Sequence, residues 1–171
     1  MNAEEEWRNL VMPKIDLVKA IVRYRTSVNR TQPFLYGTGK TENSTRYLLL
    51  QKAEDANPEN IGKWECSGGL IDPGETSRQA IEKEVKEETS LKPDLEFRIV
   101  KQLPTITMKD KEYDSHCDVY LIDTASMDVK LDPKEHSDYR WVKAEDVKNQ
   151  DLVLYAGLLL EFFNNPKKYL D

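Results

Sequence analysis

Cysteine is scarce in this chain: its 171 residues contain two, Cys66 and Cys117, with no CxxC spacing. That scarcity excludes a disulfide framework and a structural zinc site built on paired cysteines. Long apolar runs are missing as well. The longest, Leu152 to Phe163, is too short to span a bilayer and carries Glu161. The acidic, polar start from Met1 to Glu6 is the reverse of a signal peptide's basic and apolar one. Nor is there a basic surplus, since 25 Lys and Arg face 31 Asp and Glu for a formal net charge of −6. A binder of nucleic-acid polymers needs the opposite balance to neutralise phosphates. Internal repeats and low-complexity tracts are absent too. What is left is a cytoplasmic, soluble protein with no membrane association. Its acidity still permits small phosphorylated ligands, provided a metal ion supplies the positive charge.

The length fits a single domain over residues 1–171, because domains run to roughly 150 residues. A core of that size needs no covalent staples. Ile15 to Tyr24, dense in β-branched residues, reads as a strand, and Tyr47 to Leu50 as a short buried one. Between them, Asn29 to Thr45 reads as loop, as does Ala53 to Lys63 with its Asn57-Pro58 and Gly62. Thr76 to Leu91 lacks Pro and Gly, is rich in Glu and Lys, and reads as a helix after the turn Ile71 to Glu75. Phe97 to Met108 and Glu112 to Ile122 form an antiparallel strand pair across Lys109-Asp110-Lys111. Tyr139 to Val142 is a short strand, and Leu152 to Phe163 an apolar closing helix ending near Asn164-Asn165-Pro166. Paired strands alternating with helices predict an α/β fold, a mixed β-sheet covered by helices.

Chemistry concentrates in Gly69 to Glu75 and the helix behind it. At 100° per residue, Glu84, Glu87 and Glu88 fall within an arc of about 100°, with Ile81 and Val85 on the adjoining face to seat the helix on the core. Like charges at this spacing repel, and a hard divalent cation reverses the repulsion and bridges to phosphate. A Glu-rich helix by itself is an ordinary solvated face, with Glu82–Lys86 and Lys83–Glu87 available as i,i+4 pairs. The glycine-rich turn ahead of it, with Gly68, Gly69 and Gly74, separates this helix from that class by allowing close backbone approach.

The run from Gly69 to Leu91 resembles the Nudix box: Gly, five residues, Glu, seven residues, Arg-Glu, an aliphatic, any residue, Glu-Glu, any residue, Gly, an aliphatic. Gly69, Glu75, Glu84, Val85, Glu87, Glu88 and Leu91 match at the required spacings. Two positions depart from it. Lys83 stands where the family has Arg and cannot make the bidentate fork, which implies a looser clamp between loop and helix. Ser90 stands where the family has Gly, and a left-handed serine costs about 1 kcal/mol or forces a different helix ending. Upstream, Cys66-Ser67 replaces an aromatic–proline pair frequent in the family.

The resemblance implies a Nudix-type α/β/α sandwich and hydrolysis of a pyrophosphate bond with Mg²⁺ or Mn²⁺ as cofactor. Glu84, Glu87 and Glu88 would hold the metal, Glu87 and Glu88 most firmly, with Glu84 also a candidate to orient or deprotonate the water. Glu75, paired with Lys83, would support the loop. The backbone of Gly68 and Gly69 and the side chain of Lys52 would meet phosphates. Glu135, in a loop before Trp141, is a candidate metal ligand or base similar to that of MutT-like members, the alternative being a surface acid. His136 beside it offers a second base, although an exposed loop histidine ordinarily does no chemistry. Asn149, Gln150 and Asp151 stand where MutT-like relatives read the base, and Trp64 and Phe34 read as core before stacking platforms. Compactness and Glu135 favour a nucleoside triphosphate substrate over ADP-ribose or another nucleotide sugar. A non-catalytic nucleotide-binding regulator is the alternative class; Lys83 and Ser90 favour it, and the intact glutamate face opposes it. The first 14 residues are a candidate dimerisation segment, so a homodimer joins the small nucleotide among expected partners.

Overall fold

The computed structural model describes residues 14–25, 45–109 and 114–171. Residues 1–13 of the leading segment read for dimerisation, most of the Asn29–Thr45 loop, Phe34 and the Asp110-Lys111 connection lie outside the described residues. Among the described residues seven strands form one sheet: β1 (Lys14–Tyr24), β2 (Arg46–Lys52), β3 (Trp64–Glu65), β4 (Gly68–Leu70), β5 (Phe97–Lys109), β6 (Asp114–Thr124) and β7 (His136–Val142). Helix α1 spans Ser77–Thr89, and α2 (Ala144–Val147), α3 (Leu154–Leu158), α4 (Leu160–Asn164) and α5 (Pro166–Tyr169) follow β7. The sheet is mixed: β1 runs parallel to β6 from Lys14↔Asp114 to Tyr24↔Thr124, while β5 pairs antiparallel with β6.

Strand alternation sorts the core into two layers. Val18, Ala20 and Val22 join Leu48 and Leu50 against Ala80, Ile81 and Val85 of α1. Ile21 and Leu49 point the other way, into a cluster with Val147, Leu159, Phe162 and Phe163 of the C-terminal helices. Helices therefore cover both faces, and the expected α/β/α sandwich is the observed one.

The feature that positions the site is a fork in the sheet. β7 pairs along one edge of β2 from Tyr47↔Val142 to Lys52↔His136. The other edge of β2 meets β1 only at Arg23↔Tyr47 and Tyr24↔Arg46, and meets β3 at Leu50↔Glu65 and Gln51↔Trp64. β1 in turn pairs with β4 at Leu17↔Leu70, Val18↔Gly69 and Lys19↔Gly68. β1 and β2 thus diverge, and residues 64–70 fill the opening, anchored by Ala20 N–H donating to Ser67 O at 2.8 Å.

Several elements differ from the sequence reading. β3 and β4 are too short to carry a periodic signal; Gly68 and Gly69 of β4 read only as a glycine-rich turn, and Trp64 and Glu65 of β3 as no element. β7 begins at His136, three residues ahead of the expected Tyr139, because its early residues pair with β2. The closing helix is two pieces meeting at Leu159, whose N–H reaches Ala156 O at 3.1 Å in a tightened turn. The short α2 was not expected.

Candidate active site

Helix α1 is specified at both ends. Thr76 caps it in a capping box with Gln79, and Ile81 and Val85 are fully buried. Ser90 closes it in the left-handed conformation at φ 60°, its N–H donating to Lys86 O and its hydroxyl to Lys130 O at 2.8 Å. Serine therefore keeps the ending that glycine would give, and the hydroxyl contact offsets part of the strain.

Lys83 makes neither the fork nor the i,i+4 pair with Glu87 that a solvated helix face would offer; it makes the expected pair with Glu75. Its ammonium donates to Glu75 Oε2 at 3.1 Å and to Asp72 Oδ2 at 2.6 Å. A single point charge holds two carboxylates of the turn, and Glu75 also accepts from Asp72 N–H. Those two carboxylates hold the lysine's pKa above its usual range. The expected Glu82–Lys86 pair is likewise replaced, by Arg78 with Glu82 at 3.5 Å.

The glycine pair is dictated by space. Gly68 has φ 143°, and a Cβ there would lie 2.0 Å from Val18 O across the fork. A Cβ on Gly69 would stand 2.9 Å from the Glu84 carboxylate. At Gly68 only bare backbone lets this strand lie against β1, while at Gly69 a side chain would displace the Glu84 carboxylate.

A cleft of about 600 Å³ opens over this strand, lined by Gly68, Gly69, Glu84, Glu88, Glu135 and Lys52 among others. These six of the expected residues are brought together. Glu87 is exposed and does not line the cleft, although its charge reaches Glu84. Burial first, then Glu87, pushes the Glu84 carboxyl above its ordinary range. Glu135 sits in the turn before β7, its carbonyl accepting from Ala53 N–H at 2.8 Å. A register shift between Gln51 and Lys52 ends β2 beside it. Asn149, Gln150 and Asp151 do not line this cleft; Gln150 accepts from Arg140 at 2.7 Å. Trp64 is buried core, with the Arg140 guanidinium 3.7 Å from its ring centroid.

The floor of the cleft is a buried network to which the box contributes only Glu88. Glu88 is 2 % exposed; its Oε2 accepts from Gly68 N–H at 3.0 Å and from the Ser67 hydroxyl. Ser67, in place of a proline, thus supplies a hydroxyl donor. Burial pushes the Glu88 carboxyl up to about 7, against the pull of Lys19 and His136. His136, expected in an exposed loop, is 2 % exposed because it opens β7 under the turn. Its Nε2 lies 3.0 Å from Glu65 Oε1 and 4.0 Å from Glu88 Oε1, and its Nδ1 has no hydrogen-bond partner.

Glu65 and Lys19 were missed by the sequence reading. Lys19 Nζ donates to Glu65 Oε2 at 2.8 Å, and Lys52 Nζ lies 3.3 Å from Glu65 Oε1. Burial opposes the charge on Glu65, but Lys19 foremost, with His136 and Lys52, holds its carboxyl well below the usual range. The available signal was a lysine interrupting the apolar run LVKAIV, at Lys19, and an isolated glutamate between Trp64 and Cys66, at Glu65.

With this geometry in place, the comparisons with known proteins are specific. The NUDIX domain model matches residues 38–161, so the chain belongs to the Nudix hydrolase family, enzymes that cleave phosphoric anhydrides. Among individual relatives, the nucleoside triphosphatase NudI of Klebsiella pneumoniae subsp. pneumoniae is 37% identical over 123 residues. That of Escherichia coli O81 is 33% identical over 121, and both alignments span 65% of this chain and 82% of the relative. In fold, the crystal structure of a MutT protein from Methanosarcina mazei Go1 is similar, with a TM-score of 0.66 at 24% identity. It covers 94% of this chain and 99% of its own.

Proposed function

We propose that the chain hydrolyses a nucleoside triphosphate between phosphates, with Mg²⁺ or Mn²⁺ as cofactor. The observation that carries this reading is one cleft in which Glu84 and Glu88 of α1 face Glu135 and Lys52 over the bare backbone of Gly68 and Gly69. The two relatives named nucleoside triphosphatase support the substrate class.

The residues fit a hard dication. The available donors are carboxylate oxygens, the ligand type Mg²⁺ takes, and burial of Glu88 disfavours its charge unless a cation is close. Glu84 and Glu88 would hold the metal from the cleft and Glu87 from the solvent side. When bound, the metal neutralises phosphate oxygens and makes water more acidic. Glu135, across the cleft from α1, would orient or deprotonate the attacking water. Lys52, already the partner of Glu65, would balance a phosphate oxygen. Lys83, Asp72 and Glu75 would hold the turn that carries Gly69 against Glu84. Phosphoryl transfer asks chiefly for this kind of positioning and charge balance.

The test is phosphate and pyrophosphate release from a panel of nucleoside triphosphates, with ADP-ribose and a nucleotide sugar alongside, in Mg²⁺ and in EDTA. Mg²⁺-dependent turnover of one or more triphosphates above the other two substrates is expected. A preference for ADP-ribose or the nucleotide sugar overturns the substrate class. Silence across the panel, with nucleotide still bound, makes the chain a regulator.

A further inference from the structure

Lysine offers three N–H donors and no acceptor, and all three on buried Lys19 have partners. They go to Glu65 Oε2 at 2.8 Å, Cys66 O at 3.1 Å and Gly68 O at 3.4 Å. Two of these acceptors are carbonyls of the strand that fills the fork, so the ammonium draws that strand onto β1. Behind it lie Glu65, Glu88 and His136, each offering one donor atom within 4.8 Å of the others, all three residues buried. Two carboxylates and an imidazole are a ligand set for a first-row dication such as Mn²⁺. Donor atoms on such an ion stand up to about 4.2 Å apart, within reach of a small side-chain adjustment. A dication there would share Glu65 with the buried Lys19 ammonium on Oε2 and with the less buried Lys52 ammonium 3.3 Å from Oε1, at close range, where like charges repel strongly in a dry site.

We propose that Lys19 is a resident cation of the active site, occupying the charge position that Glu65, Glu88 and His136 would otherwise offer to an additional divalent ion. By filling it, Lys19 limits the metal bound to the Glu84–Glu88 side of the cleft and fixes Gly68 and Glu88 in place. It is a positioning residue, and the inference rests on Glu84 and Glu88 being the metal ligands.

Mn²⁺ binding followed by the free-ion EPR signal tests it, with far-UV circular dichroism as the check on folding. The variants are Lys19→Met, Lys19→Arg and the double variant Lys19→Met/Glu65→Gln. The expected result is one more Mn²⁺ per chain for Lys19→Met than for wild type. Lys19→Arg keeps the wild-type number, and the double variant loses the added ion. An unchanged number in folded Lys19→Met overturns the proposal. If Lys19→Met is unfolded without metal, millimolar Mn²⁺ must restore its circular dichroism, and failure to do so overturns the proposal equally. Wild type that binds no Mn²⁺ at all refutes the metal reading of Glu84 and Glu88 instead.

Discussion

The two ends of the acidic row on α1 live in different media. At the outer end, Lys83 ties Asp72 and Glu75 together at the surface, and Glu87 faces solvent. At the inner end, Glu88 is enclosed with Glu65, His136 and Lys19, each 6 % exposed or less. Charge pairs in water are worth little, whereas a buried charge that loses its partner is expensive. The same residue type one position along a helix therefore has a different job, set by which way the turn points it.

Breaking the inner end should have the larger effect on stability. Glu65→Leu leaves the Lys19 ammonium buried without its carboxylate, and a loss of about 3–5 kcal/mol is expected; urea denaturation measures it. Removing one partner of the outer clamp with Lys83→Met should shift the urea midpoint far less by the same measurement, because water screens the pair.

Titration separates two carboxylates within the inner end itself. Glu65 has its folded pKa below the ordinary 4.5, so the unfolded chain binds more protons as the pH falls past that value. Its contribution is present above about pH 4.5 and is lost below it. Glu88 is raised to about 7, so between the ordinary 4.5 and 7 the folded state binds more protons and its contribution falls as pH rises. In EDTA, the stability of wild type relative to Glu65→Gln should grow from pH 3 to 5. Relative to Glu88→Gln it should shrink from pH 5 to 8. Equal slopes for the two would erase the distinction.

The smallest expected effect lies at the far end of α1. Ser90→Gly relieves a left-handed serine but removes its bond to Lys130 O, so stabilisation by about 1 kcal/mol or less should appear as a modestly higher urea midpoint.

The part of this site carried by α1 and the turn before it was legible in the sequence because it is local. Gly69, Glu75, Lys83 and the three glutamates sit at fixed offsets along one turn and one helix, and Ile81 and Val85 mark the buried face by their spacing. The rest of the inner end was not, because three strands separated by tens of residues bring it together. Lys19, Glu65 and His136 carry no mutual spacing, and the fork that joins them comes from where β1 leaves β2. His136 was misjudged for the same reason: pairing with β2 buries it, and nothing beside it in the chain does. A mixed sheet covered by helices was legible from strand and helix order and the α/β/α layering from the family resemblance, while β3 and β4 were too short to show a period.

The most direct test of the claim that hydrolysis depends on the buried end of the acidic row is a side-by-side kcat measurement. Glu88→Gln and Glu87→Gln would be compared with wild type on a nucleoside triphosphate at saturating Mg²⁺. Even outer partners of metal sites are worth roughly 10- to 100-fold, so Glu88→Gln should lose more than about a hundredfold and Glu87→Gln clearly less. Equal losses, or a larger loss for Glu87→Gln, would contradict the account.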